Sequence, residues 1–455
     1  MLKRRNPHKK GLIVLKQLNK HDLKQLIFRS FCVCHTNGKF GCHTNQTGLA
    51  QFVVQTAKTD VEQIRPDKPV ESAIKWQLHF FSREMNCSLA PYSLFLNPLR
   101  SHSLFLDGNE MKAVVKTKRG PGNVELRDIE VPKVKPNEVL VEVKFTGICG
   151  TDIHIYHDSA FYTPPVVLGH EYSGVVAEKG SEAAGFELGD RVTSPATIPC
   201  GQCLMCRTNH ANRCTGEQKR ILGAHKANGT FTKYVAVPSG ILHKIPTKLS
   251  LEEAAVAELA ACVVRAVFER VRVEPGEVVA VLGPGPMGLL TVQAAKIAGA
   301  KHVILTGVSA DKERFSIAKE LGADSIINVE NEDPANVVKS LTEGLGADVV
   351  FEASGSSAAR KQAFSMVRRC GKVGLIGLAG KSSDINLDTV VEGELDVKGS
   401  WGTVWTSWRR TLTLLSSGML RVSPLINAKL PLERWQEGFS LMEERKALKV
   451  LLVPS

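Results

Sequence analysis

The sequence predicts an α/β protein in which a β-rich unit precedes a doubly wound parallel sheet, and three observations carry that expectation. From Met111 to about Val237, short alternating or apolar runs such as Glu138–Phe145, Ser173–Ala177 and Thr232–Val237 are punctuated by Gly, Pro and Asp, as strands joined by turns in a barrel-like unit would be. From about Glu274 the rhythm changes to strand and helix in alternation. Where the first of those strands meets its helix stands a glycine turn, Gly283-Pro-Gly285-Pro286-Met287-Gly288.

Composition narrows the function classes. A hydrophobic fraction of 43% and a charged fraction of 23% suit a folded globular chain, and 455 residues suffice for two or three cores. The formal charge of +12 is concentrated: residues 1–110 hold 16 Lys and Arg against 8 Asp and Glu. The remainder is only mildly basic, so nucleic acid is not an expected partner. The apolar run Gly11–Leu15 is too short for a secretory signal. The stretch Val278–Ala300 is broken by glycines and prolines and reads as strand, loop and buried helix, so no membrane span is expected and the chain is read as soluble. Seven of eleven cysteines follow residue 110 and five of those fall in motif positions, metal-site usage that suits a reducing, cytoplasmic compartment.

Taken in order, residues 1–110 lack sustained periodicity and scatter six histidines and four cysteines without ligand spacing. A run of Lys and Arg precedes their first acid, Asp22, so an organelle presequence is one reading. A disordered extension is a second, and a start of translation at Met111, which opens a clean strand pattern, is a third. The β-rich unit then carries Gly147-Ile-Cys149-Gly-Thr151-Asp152-Ile-His154 and, shortly after, Gly169-His170-Glu171. Thiolate and imidazole are the ligand types that zinc selects, and two or three protein ligands leave the open position a catalytic zinc requires. Thr151 and His154 stand beside them as a hydroxyl and an imidazole able to relay a proton.

Cys200-Gly-Gln-Cys203-Leu-Met-Cys206, with Cys214 after seven intervening residues, offers four thiolates, enough for a closed tetrahedral zinc site without an open position. The bacterial iron–sulfur run would place its fourth cysteine after three intervening residues and follow it with Pro, whereas here seven intervene and Thr215 follows. In the turn Gly283–Gly288 the first glycine permits the bend, the second lets backbone approach a pyrophosphate and the third allows helix–strand packing, so a dinucleotide is expected at the helix N-terminus. An acid is expected about twenty residues on, to hold the ribose hydroxyls; Gly307 occupies that place and Asp311 comes four residues late. Ser309, Lys312 and Arg314 are able to bind a 2′-phosphate, so the sequence leaves NAD and NADP open. Beyond Gly399 the alternation breaks, and Lys449-Val-Leu-Leu-Val returns to strand.

Residues 111–455 resemble the zinc-containing medium-chain alcohol and polyol dehydrogenases, the group with sorbitol and threonine dehydrogenases. The matched features are GICGTDIH, GHE, the Cys200/Cys203/Cys206/Cys214 lobe and the GPGPMG turn, in family order; residues 1–110 match nothing in it. The resemblance implies a GroES-like catalytic domain (111–261) with both zinc sites, a Rossmann NAD(P)-binding domain (262–399), a return to the catalytic domain (400–455) and an active site between the two. It implies two zinc ions per subunit: one structural, on the four-cysteine lobe, and one catalytic, on Cys149, His170 and one or both of Glu171 and Glu258. Cys262, one helical turn past Glu258, is the alternative ligand. Asp152 would accept the other ring N–H of His170, and Thr151 and His154 would carry the proton. The cofactor would lie on Gly283, Gly285, Pro286, Met287, Gly288, Gly307, Ser309 and Arg314. The expected activity is hydride transfer between NAD(P) and a polyol or other secondary alcohol, the partner being a small alcohol or ketone; L-threonine 3-dehydrogenase is the alternative. The Phe-Arg-Tyr pattern of sorbitol enzymes is absent from Gly399–Arg410, where Trp401, Trp405 and Trp408 stand, and this counts against sorbitol itself. Relatives being dimers or tetramers, a homo-oligomer is implied.

Overall fold

The computed structural model describes residues 110–380 and 382–455. The readings made for the N-terminal extension lie, but for Glu110, outside the described residues.

The β-rich part is organised on β1 (Glu138–Gly147), whose Val139, Val141 and Val143 are buried. Each such side chain contributes about 1.5–3 kcal/mol on leaving water, which holds the strand in the sheet interior. The chain then turns into α1 (Gly150–Tyr156) and returns as β2 (Glu171–Lys179). Strand β1 pairs antiparallel with β2 and with Tyr234–Pro238, within a seven-stranded sheet. The helix α1 departs from the strand-like reading of this region. Asp152, in its first turn, accepts the Cys149 N–H at 2.9 Å and starts the helix where the apolar alternation runs out.

Helix α2 (Ala257–Val264), almost wholly buried, continues as a π-helical stretch over Arg265–Val271 and leads into the second sheet. There β3 (Val278–Leu282), α3 (Pro286–Ile297), β4 (His302–Gly307), α4 (Lys312–Glu320), β5 (Ser325–Asn328), β6 (Ala347–Glu352), β7 (Val367–Leu375) and β8 (Asp396–Gly399) form a parallel sheet of order β5-β4-β3-β6-β7-β8. In β7 the apolar residues Val373 and Leu375 fall in the second half. Its first half, Val367-Arg-Arg-Cys-Gly-Lys372, is largely polar and irregular: only its ends, Val367 and Lys372, pair with β6, opposite Ala347 and Val349. The order reverses beside β3, so the crevice for a ligand opens at the carboxyl ends of β3 and β6.

The chain then recrosses. In α5 (Trp405–Ser416) Trp408, Leu412 and Leu415 form one apolar stripe at helical spacing and share a core with the buried alanines of α2. Strands β9 (Ile426–Pro431) and β10 (Lys449–Val453) rejoin the first sheet, β10 running antiparallel to β1. The closing strand is where the sequence reading put it. Among the described residues no helix is long and apolar enough to cross a membrane.

Candidate active site

Register builds the first cluster. Gly147 at the end of β1 faces Glu171 at the start of β2, so Cys149, two residues past one strand, meets His170, one residue before the other. Gly147 also faces Leu451 of β10, and continuing that antiparallel pairing brings Lys449 level with Cys149. The ligand atoms of Cys149, His170 and Glu171 lie within 4.8 Å of one another. Asp152, fully buried, accepts the Cys149 N–H at 2.9 Å and the Gly169 N–H at 3.1 Å, and so ties together the two segments that carry the thiol and the imidazole. The hydrogen bond expected from the His170 ring N–H to Asp152 is not formed. Nδ1 stands 3.7 Å from Oδ1, beyond hydrogen-bond reach, while each carboxylate oxygen accepts one of the two amides. Burial raises the Asp152 carboxyl above its ordinary pKa, against the pull of the imidazole and the amides.

Sequence reasoning missed Lys449. Its ammonium is buried, donates to both Glu171 oxygens at 3.0 and 2.7 Å and to the Ile148 carbonyl at 3.0 Å. Burial opposes its charge, but the facing Glu171 and Cys149 raise its pKa above the ordinary value. A lysine opening an otherwise apolar strand was the one available signal. Glu258 reaches the same cleft from α2; burial pushes its carboxyl up to about 7, and the Cys262 thiol donates to it at 3.8 Å. It stands outside the tight set of three, and the cluster gathers Cys149, Asp152, Glu171 and Glu258 around a single lysine, surroundings that favour a cation. Thr151 Oγ1 lies 3.7 Å from the Cys149 sulfur, and the exposed His154 sits against Ser159 at 3.2 Å.

The four cysteines of the lobe come together independently. Cys200, Cys203, Cys206 and Cys214 all have ligand atoms within 4.8 Å of each other, with sulfur separations of 3.9 Å (Cys200–Cys206), 3.5 Å (Cys203–Cys206) and 3.8 Å (Cys203–Cys214). A tetrahedral shell with Zn–S bonds of about 2.3 Å requires sulfurs about 3.8 Å apart, so the lobe fits that ion. Amide N–H groups of Thr215 and Cys206 pull the Cys203 thiol down to about 5, towards the thiolate that a metal needs.

The glycine turn also fits its group. A Cβ on Gly288 would lie 1.9 Å from the Gly283 carbonyl, which explains the third glycine; a Cβ on Gly285 would meet nothing within 4 Å, leaving open space in front of α3. Pro286 lacks an N–H, and the Met287 and Gly288 amides of the first turn have no carbonyl four residues back within the helix. At the end of β4, Ser309 N–H donates to Glu330 at 2.8 Å. Arg314, expected from the sequence to be able to meet a 2′-phosphate, instead donates to the Arg445 carbonyl at 3.0 Å and lies 3.9 Å from Asp311. Both halves meet in one cleft of about 610 Å³, lined by Cys149, Thr151 and His170 on one wall, Met287 and Ser354 on the other, and Trp401. Of the three tryptophans, Trp401 alone lines this cleft; Trp408 is buried and Trp405 is 58% exposed.

Comparison with known proteins agrees with this architecture. Residues 135–247 match the alcohol dehydrogenase GroES-like domain, and residues 286–417 match the zinc-binding dehydrogenase domain. A sorbitol dehydrogenase of Halalkalibacterium halodurans is 36% identical, over 76% of this chain and 99% of its own length. An L-threonine 3-dehydrogenase of Bacillus velezensis is 36% identical, over 76% of this chain and all of its own. A zinc-binding dehydrogenase from Sinorhizobium meliloti 1021, solved bound to NADP, superposes with a TM-score of 0.70 at 32% identity, covering 76% of this chain and 100% of that one. The chain belongs to the zinc-containing medium-chain alcohol and polyol dehydrogenases. It is thus an NAD(P)- and zinc-dependent oxidoreductase of small-molecule alcohols.

Proposed function

We propose that this dehydrogenase oxidises a polyol or other secondary alcohol, and reduces the matching ketone, in the cleft between Cys149 and Met287. The observation that carries the reading is the convergence of the Cys149–His170–Glu171 cluster and the Gly283–Gly288 turn on that one cleft. When bound, zinc lowers the pKa of a hydroxyl it touches and NAD(P) accepts hydride from the carbinol carbon. Cys149 and His170 hold the catalytic metal, with Glu258 as third ligand. What supports Glu258 over Glu171 is charge: Lys449 already engages both Glu171 oxygens, whereas Glu258 is buried with only a thiol bonded to it. Asp152 positions the Cys149 and His170 segments. Thr151 takes the alcohol proton, and His154, three residues on along the same face of α1, returns it to solvent.

The lobe cysteines hold the second, structural zinc. The catalytic unit comprises residues 111–261 and 400–455, and the cofactor unit residues 262–399. The free edge of β8, with Val397, Leu387 and Val391 exposed near it, suits pairing with a second copy in a homo-oligomer. Four metal-binding thiols suit a cytoplasmic, reducing location.

A panel of sorbitol, xylitol, butanediol and threonine, each with NAD+ and NADP+, tests the substrate. A diol or polyol is expected to give the highest kcat/KM; preference for threonine would replace the reading. Glu258→Gln is expected to lower zinc affinity and kcat by about 10- to 100-fold or more, the scale on which metal-site partners act. Unchanged metal content and rate in that variant would transfer the ligand role to Glu171. Cys206→Ser is expected to lose one zinc per chain and to lower the thermal midpoint, since structural metal binding is folding free energy. Elemental analysis and calorimetry check this, and a variant that keeps both ions and its midpoint refutes the lobe assignment.

A further inference from the structure

We propose that Glu330 sets the choice between the two dinucleotides and makes this protein prefer NAD; the proposal rests on reading Gly283–Gly288 as the cofactor cradle. The tip of β4, where an acid would hold the ribose hydroxyls, is Gly307, and a Cβ there would lie 2.6 Å from the Phe315 ring. Gly307 itself offers no carboxylate, and a side chain there would have to displace the Phe315 ring, so in this chain a carboxylate for the ribose comes from elsewhere. Strand β5 supplies one. It pairs with β4 as far as Gly307 opposite Asn328, and the Val329 N–H donates to the Gly307 carbonyl at 3.0 Å, which lays the following turn against the β4 tip.

From that turn Glu330 accepts the Ser309 N–H at 2.8 Å, while Asn328 Nδ2 donates to the Ser309 hydroxyl at 2.9 Å and its Oδ1 accepts the Glu330 N–H at 3.1 Å. The bonds from Ser309 hold the Glu330 carboxyl below its usual pKa, so it is charged at neutral pH. A negative charge at this tip can accept a hydrogen bond from a 2′-hydroxyl and repels a 2′-phosphate.

The groups that a phosphate would need are otherwise engaged. Ser309 N–H is bonded to Glu330, and Arg314 is turned to the Arg445 carbonyl and to Asp311. Asp311, buried, also lies 3.6 Å from Arg445 and accepts the Val308 N–H at 3.1 Å. Of the three candidates for a phosphate, only Lys312, exposed at the start of α4, has no carboxylate within ion-pair distance among the described residues. One exposed lysine against an adjacent fixed carboxylate leaves the balance with NAD.

The test is equilibrium binding of NAD+ and NADP+ to the full chain, followed by calorimetry without substrate. The unaltered protein is expected to bind NAD+ at least about ten-fold more tightly than NADP+, a difference of about 1.4 kcal/mol. Glu330→Gln should narrow that ratio, and Glu330→Lys should reverse it, both with thermal midpoints unchanged because the side chain is exposed. NADP+ binding as tight as NAD+ by the unaltered protein, or a ratio unmoved in both variants, overturns the role of Glu330. Binding of neither dinucleotide would instead overturn the cradle on which the proposal rests.

Discussion

Cys149→Ser is expected to lower kcat by about 10³-fold or more while the protein still binds NAD(P) with affinity close to that of the unaltered chain. A bound metal contributes several kcal/mol to charge stabilisation during alcohol oxidation, and each 1.36 kcal/mol is a factor of ten in rate. The exchange of sulfur for oxygen is nearly isosteric, yet a serine hydroxyl stays protonated at neutral pH and is a poor zinc ligand beside a thiolate. The backbone around it has independent support: the residue 149 amide is held by Asp152, which also holds Gly169, so the fold of the loop does not depend on the sulfur. The dinucleotide turn belongs to a different sheet and needs nothing from residue 149. Steady-state kinetics, metal content and dinucleotide titration together read the outcome. Retained turnover would falsify the catalytic assignment of Cys149.

Lys449→Met is expected to destabilise the protein by about 3–5 kcal/mol, because it leaves the buried Glu171 carboxylate without its cation. The thermal midpoint should fall on the order of 10 °C. Methionine matches the length of the lysine stem, so lost packing contributes little and the unpaired charge dominates. The double change Lys449→Met with Glu171→Gln should recover much of the loss, since a neutral amide is far less costly to bury than an orphaned carboxylate. A single variant as stable as the parent would show that Glu171 is neutralised by something other than Lys449. The two expectations differ in kind: the first removes a ligand and spares the fold, the second removes a counter-charge and strains it.

Much of the site was legible because its chemistry is local in the chain. Cys200, Cys203, Cys206 and Cys214 sit within fifteen residues, and a loop that short brings them together wherever the rest of the fold lies. The turn Gly283–Gly288 is likewise contained between one strand and one helix, and both fall where the alternation put them. The helix α1 was not legible, since seven residues started by Asp152 interrupt a region whose apolar pattern is otherwise that of strands. Asp152 shows the limit more sharply. Its motif identified it as a partner of the metal site, but its bonds go to the amides of Cys149 and Gly169 rather than to the His170 ring. The three tryptophans at nearly even spacing read alike, yet Trp401 lines the cleft, while Trp405 and Trp408, about one turn apart on α5 and both against the His243 ring, are exposed and buried respectively.

The amino-acid sequence by itself determined the chemical inventory: which side chains are able to ligate a metal, where a glycine turn of the dinucleotide-binding kind stands, and where most of the strands and helices fall. Those properties depend on residue type and short spacing, over which the chain has little freedom. The tertiary structure alone decided how distant charges are partnered. Lys449 reaches Glu171 across 278 residues, and Glu330 reaches Ser309 from the neighbouring strand. Both meetings follow from the register of paired strands, a cooperative property of whole sheets that no local stretch of the chain encodes.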